Sequence, residues 1–200
     1  MTDWGVHLLD VVLWGMNATT PNRIVSSGGN FAYPNSAMET PDTQQAIFEF
    51  SDFTMIWEHA NGIGLGPYQR SHGIAFIGNN GTLIVDRGGW EVLSEIENEQ
   101  GMKKSKIEPV ERQSAKPGET GLAQHTSNFV NAIRENEKLN CNINVGSSAA
   151  INAHMGNVAL KTRNSLVWNH QSQMFDSNDA ANVLMTPVYR TPWSTPSKKS

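Results

Sequence analysis

The chain has 200 residues, 38% of them hydrophobic and 17% charged, with a formal net charge of −4. That composition excludes a disordered or fibrous polymer, and without a global basic field nucleic acid is not an expected partner. The one cysteine, Cys141, rules out an internal disulfide framework and fits a reducing compartment.

The opening stretch "MTDWGVHLLDVVLWGM" is apolar from Val6 to Met16 except at His7, Asp10 and Gly15. It falls short of the roughly 18 to 20 apolar residues of a membrane helix. It also lacks the basic flank of a signal peptide. We therefore expect no membrane partner and a cytoplasmic location. On a helical wheel Asp3, His7, Asp10 and Trp14 fall in one narrow stripe, with apolar residues covering most of the remainder. The pattern predicts a helix buried nearly all round, capped by Thr2 or Asp3 and ended by Gly15 with Asn17. Its polar stripe then faces a cavity, a partner domain or a buried network.

A polar stretch, Asn17–Asp42, holds a short strand at "RIVSSGGNF". "TQQAIFEF" and "FTMIWEHA" read as strands paired through a tight turn at Ser51-Asp52. "NGIGLGPYQRSHG" is rich in glycine but has no phosphate-cradling spacing. "GIAFIGNNGTLIVD" reads as a hairpin turning at Asn80-Gly81 in type I′ geometry, and "GWEVLSEI" as a further strand. Residues 98–121 are polar and read as a surface loop, with Lys103, Lys104 and Lys106 as a solvated face. "LAQHTSNFVNAIRENEK" repeats Leu122, His125, Phe129 and Ile133 along one helical face. "GSSAAINAHMGNVALKTRN" reads as a Ser-capped helix whose small residues suit close packing. "SLVWN" is a short strand, "MFDSNDAANVLM" a short helix or turn, and residues from about 187 to 200 an extended tail with a frayed basic end. Strands and helices are segregated, so the fold class is α+β: an open, mostly antiparallel sheet with helices on one face. No boundary splits the chain, and residues 1–200 read as one domain.

Asp3-x-x-x-His7 is the sharpest chemical feature, because a carboxylate one turn from an imidazole can orient the ring and stabilise its protonated form. The same residues also suit an N-cap aspartate and a core histidine. Asp3, His7 and Asp10 could alternatively hold a metal, as in a metal-assisted lyase or hydrolase, although no HExxH motif or cysteine pair supports it. His125 and His154 suit buried positions, and Cys141 has no adjacent base.

In order, "DWGVHLLDVVLWG", "GIAFIGNNGTLIVD" with "WEV", "HTSNFVNAIR", "HMGNVALKTRNSLVWN", and "NDAANVL" with "YRTPW" resemble the C-terminal, substrate-binding domain of the Gfo/Idh/MocA oxidoreductases, bacterial type. The resemblance runs from about Asp3 to Trp193. It implies an open sheet whose free face often forms homo-oligomers, an N-terminal Rossmann domain carrying NAD or NADP, and a sugar or cyclitol substrate. It makes His7 the acid–base residue, with Asp3 positioning the substrate or tuning the ring. Trp4, Asp10 and His125 are then assigned to substrate binding. No GxGxxG follows a strand in this sequence, so no cofactor is expected to bind this chain. The first helix then reads as an internal helix of a longer enzyme, inactive as a dehydrogenase without its nucleotide domain. Its polar stripe would be bared to solvent or covered by other copies. The alternative from another class is a non-catalytic carbohydrate-binding or oligomerisation module.

Overall fold

A computed structural model describes residues 1–116, 118, 121–186 and 188–194. The basic end expected to fray, at 195–200, lies outside them. The chain forms two compact units, one of Met1–Ile63 with Ile143–Ser200, the other of Gly64–Asn142.

The first unit holds α1 (Trp4–Gly15), β1 (Arg23–Gly29), β2 (Thr43–Glu49) and β3 (Thr54–Ala60). After the second unit come α3 (Ile143–Thr162), β10 (Leu166–Asn169), β11 (Met174–Phe175) and α4 (Asp179–Met185). Its five-stranded sheet is antiparallel throughout, in the order β11-β10-β1-β2-β3. Strand alternation puts Ile24, Ala46, Phe48, Met55 and Trp57 on the inner face, all buried. The small residues of α3, among them Ala149, Ala153, Gly156 and Ala159, are buried as their size suits. Gly156 lies so close to the core that a Cβ there would meet Met1 Sδ at 2.5 Å and Phe48 Cζ at 3.2 Å.

Three expectations change in this unit. α1 is not buried all round: Gly5, Leu9 and Leu13 are buried, Val6, Leu8, Val11 and Val12 are half-buried, and Trp14 is 82% exposed. α3 begins at Ile143 rather than behind a serine cap, and Ser147 is inside it, its hydroxyl donating to Asn144 O at 3.1 Å. His154 faces out from α3 instead of sitting in the core.

The second unit holds β4 (Ile74–Ile77), β5 (Gly81–Asp86), β6 (Gly89–Ser94), β7 (Ile96–Glu99), β8 (Met102–Ser105), β9 (Val110–Ser114) and α2 (Leu122–Glu135). β4-β5-β6-β9 form one antiparallel sheet and β7-β8 a separate hairpin, so the strands among the described residues are shared among three sheets rather than one. The α+β class and the open antiparallel pairing stand. Asp86 organises this unit, bonded by Arg112 at 2.7 Å and by Arg70 at 3.2 Å, while Arg70 also pairs with Glu91.

The expected surface loop from Asn98 to Gly121 is instead largely strand. Gln100 (φ 54°) and Gly101 (φ 84°) make the β7–β8 turn, and both positive φ values are what a type I′ turn demands. The β4–β5 turn runs through Asn79-Asn80, between the paired Ile77 and Thr82, and neither asparagine has positive φ. Gly81 serves packing there: a Cβ on it would lie 2.5 Å from Leu93 O. On α2, Leu122, Phe129, Ile133 and His125 are exposed, so His125 is not a core residue.

Candidate functional site

α1 and its N-cap residue Asp3 carry four of the five residues singled out as site candidates. The first turn of the helix is closed by Gly5 N–H donating to Met1 O at 2.7 Å. Asp3 occupies the N-cap position without making a side-chain capping bond. The far end is a Schellman closure: Ala18 N–H donates to Leu13 O at 2.9 Å, Asn17 N–H to Trp14 O at 3.2 Å, and Asn17 takes the left-handed φ of 49°. Gly5, Leu9 and Leu13, spaced by four, form the buried edge. Each fully buried leucine is worth about 1.5–3 kcal/mol, so this edge locks the helix's rotation.

Locking one edge fixes the other. Asp3 and His7 are exposed, and Asp10 is half-buried on the same stripe. Trp4 stands edge-on to His7, with ring centroids 6.5 Å apart. Burial raises the Asp10 carboxyl above its ordinary value, and the charge of nearby His7 opposes part of that rise. The structure thus brings Asp3, Trp4, His7 and Asp10 together on one helix, whereas His125 lies on α2 of the second unit. Asp3, His7 and Asp10 do not converge on a metal: among the described residues no group of three or more His, Cys, Asp or Glu side chains is placed to hold one.

One constellation near the start of α1 escaped the sequence reading. Trp57 Nε1–H donates to His59 Nδ1 at 3.0 Å, so the other ring nitrogen carries the proton and donates to Pro41 O at 3.2 Å. Burial lowers the pKa of His59, the Pro41 bond opposing it. Beside it, the fully buried Asp42 carboxylate accepts from Phe31 N–H, Tyr33 N–H and the Thr43 hydroxyl. The signal was an aspartate at a strand start, after proline and before threonine, a place where Asp side chains bond nearby backbone.

Residues 100–195 match the family profile described as "Oxidoreductase family, C-terminal alpha/beta domain", that of the Gfo/Idh/MocA group. Over residues 100–195 the chain is thus similar to the C-terminal domain of that family. No curated protein sequence matches it significantly. Among solved structures it resembles yvaA from Bacillus subtilis, at 11% identity and a TM-score of 0.60, over 84% of this chain and 51% of that one. The UDP-N-acetylglucosamine 3-dehydrogenase of Acidithiobacillus ferrooxidans matches at 14% identity and 0.52, over 79% and 46%. The biliverdin reductase of Synechocystis, solved with biliverdin and NADP+, matches at 12% and 0.52, over 78% and 45%. These likenesses show a shared fold. The chain spans about half the length of the structures it matches. No helix among the described residues is long and apolar enough to cross a membrane.

Proposed function

We propose that this chain is the substrate-binding and acid–base half of a bacterial, cytoplasmic, NAD(P)-dependent oxidoreductase acting on a hydroxyl of a sugar or cyclitol. One observation carries the reading. Asp3 and His7 share the solvent-facing edge of a helix whose opposite edge is fastened in the core. In this reading His7 accepts the proton of the substrate hydroxyl, Asp3 orients the substrate or the ring, and Trp4 and Asp10 border the same surface.

The glycine-rich stretch 62–66 leads into a short 3-10 turn at Pro67–Gln69 and then β4, not into the helix N-terminus that holds a pyrophosphate. We therefore assign to these residues only binding and proton transfer. NAD or NADP, the hydride acceptor of such enzymes, belongs on a separate Rossmann domain docked over the exposed edge of α1, with residues 1–200 acting together as the substrate domain. The outer face of the five-stranded sheet supports a homo-oligomer. Val25, Ile47 and Ile56 lie in register across three strands there, Ile56 being 66% exposed.

A chimera placing a dinucleotide-binding Rossmann half ahead of Met1, assayed with NAD or NADP and a polyol panel, tests the reading. We expect reduction of the nicotinamide by at least one polyol and its loss in His7→Ala. Equal turnover in His7→Ala overturns the assignment. Polyol binding without turnover by any chimera favours the second reading, a non-catalytic carbohydrate-binding module.

A further inference from the structure

Trp57 and His59 stand on the same face of β3, and both ring nitrogens of His59 are engaged. Trp57 Nε1–H donates to Nδ1 at 3.0 Å, and Nε2–H donates to Pro41 O at 3.2 Å. An indole nitrogen only donates, so the bond from Trp57 exists only while Nδ1 carries no proton. The bond to Pro41 has no such condition, because Nε2 keeps its proton in the charged ring as well. Adding a proton to His59 therefore opens one bond and keeps the other.

The bond that opens secures a core side chain. Trp57 is 7% exposed and belongs to the buried cluster of Leu9, Phe48 and Met55. Gly5, in the first turn of α1, faces it: an added Cβ there would lie 3.7 Å from the indole. Once His59 is charged, the indole N–H is buried opposite a second N–H, and a buried donor without an acceptor is costly. The indole then turns, or the end of β3 shifts, until that donor is satisfied.

We propose that Trp57 and His59 form an acid-released latch, which holds the indole beneath the first turn of α1 while His59 is neutral and frees it when His59 takes up a proton, the tether to Pro41 remaining. Burial holds the ring below its ordinary 6.5; the Pro41 bond and the Asp42 charge oppose this, and the Met1 amino group adds to it. Against its own burial, the bonds from Tyr33, Thr43 and Phe31 keep Asp42 below 3.8, so it stays ionised while His59 titrates. Burial lowers the Met1 amino group from 8.0, with Asp3 opposing. Glu58, between the two rings in sequence, is turned to the other face of β3 and accepts from Gln45 at 3.2 Å. The unfolded chain takes up the His59 proton first, so the stability given by the neutral ring is complete above 6.5 and is lost as pH falls from there to the lower folded value.

NMR on the 200-residue chain between about pH 8 and 5, following the His59 ring nitrogens and the Trp57 indole N–H, tests this. We expect the neutral ring to carry its proton on Nε2. Protection of the indole N–H against exchange should fall about tenfold with the midpoint of His59, while the Phe48 amide in β2 keeps its own. His59→Asn offers an acceptor that takes no proton and should keep the indole protected throughout. Trp57→Phe, the second variant should the first not fold, removes the donor that favours the neutral ring and should raise the His59 midpoint. The coupling should persist in the chain acetylated at Met1, and its absence there would assign the event to the amino group and overturn the latch. A neutral ring protonated on Nδ1, indole protection that ignores the His59 midpoint, or a His59 midpoint unmoved by Trp57→Phe overturns it as well. Joint loss of protection at Phe48 would make the transition an unfolding and overturn it too.

Discussion

Trp4 meets His7 across one turn of α1, ring centroids 6.5 Å apart and planes at 77°. The spacing is i,i+3, the arrangement in which helical side chains touch. In the chimera we expect His7→Ala to lower kcat by about 10²–10⁴, the range supplied by a general acid–base. Trp4→Ala should act mainly on KM. Both residues are exposed, so each variant should melt within about 0.5 kcal/mol of the parent. A His7→Ala chain that fails to fold would show the ring to be structural.

Asp10 tests the edge by pH. Burial holds its carboxyl above the ordinary 3.8. The unfolded chain therefore gives up this proton more readily, and ionisation costs folding free energy as pH rises through the two values. Asp10→Asn should raise Tm at pH 7 by a few degrees at most. The gain should vanish once the pH falls below the unfolded value. A lower Tm for Asp10→Asn at pH 7 would contradict the sign.

Asp42 has the opposite sign. Burial works against its charge, but the bonds from Tyr33, Thr43, Phe31 and Ala32 outweigh it and hold the carboxyl below 3.8. Its contribution is complete above the unfolded pKa and is lost as pH falls through the folded one. Asp42→Asn should flatten the acid limb of the stability curve and speed amide exchange at Phe31 and Tyr33. An unchanged acid limb would show that the loop is held by other contacts.

Gly89 tests the pairing of β6 with β9. Its φ is 145°, and a Cβ would lie 2.1 Å from Gln113 O. Backbone strain and overpacking each cost about 1–3 kcal/mol. Gly89→Ala should therefore lose at least about 2 kcal/mol in denaturant unfolding. A neutral substitution would mean that β9 does not pair there.

The helices and the apolar strands were legible because burial on one face imposes a period, 3.6 in α1 and 2 in β2 and β3. The stripe of Asp3, His7, Asp10 and Trp14 could be placed on one edge from spacing alone. β7, β8 and β9 could not be read this way. They are rich in Glu, Lys, Gln and Ser and almost wholly exposed, so their backbone pairing leaves no trace in the hydrophobic pattern. Asn80-Gly81 misled for a related reason: the glycine answers to the nearby Leu93 carbonyl, a neighbour no dipeptide rule contains.

Local chemistry, written in order along the chain, determined that α1 exists, which edge is polar and which family the late segments match. Tertiary packing decided how much of α1 is buried, since only the edge at Gly5, Leu9 and Leu13 finds partners. It also joined Trp57, His59 and Pro41 to the Asp42 loop. Those links cross strands and loops, and a hydrogen bond between distant residues exists only once the sheet has brought them within about 3 Å.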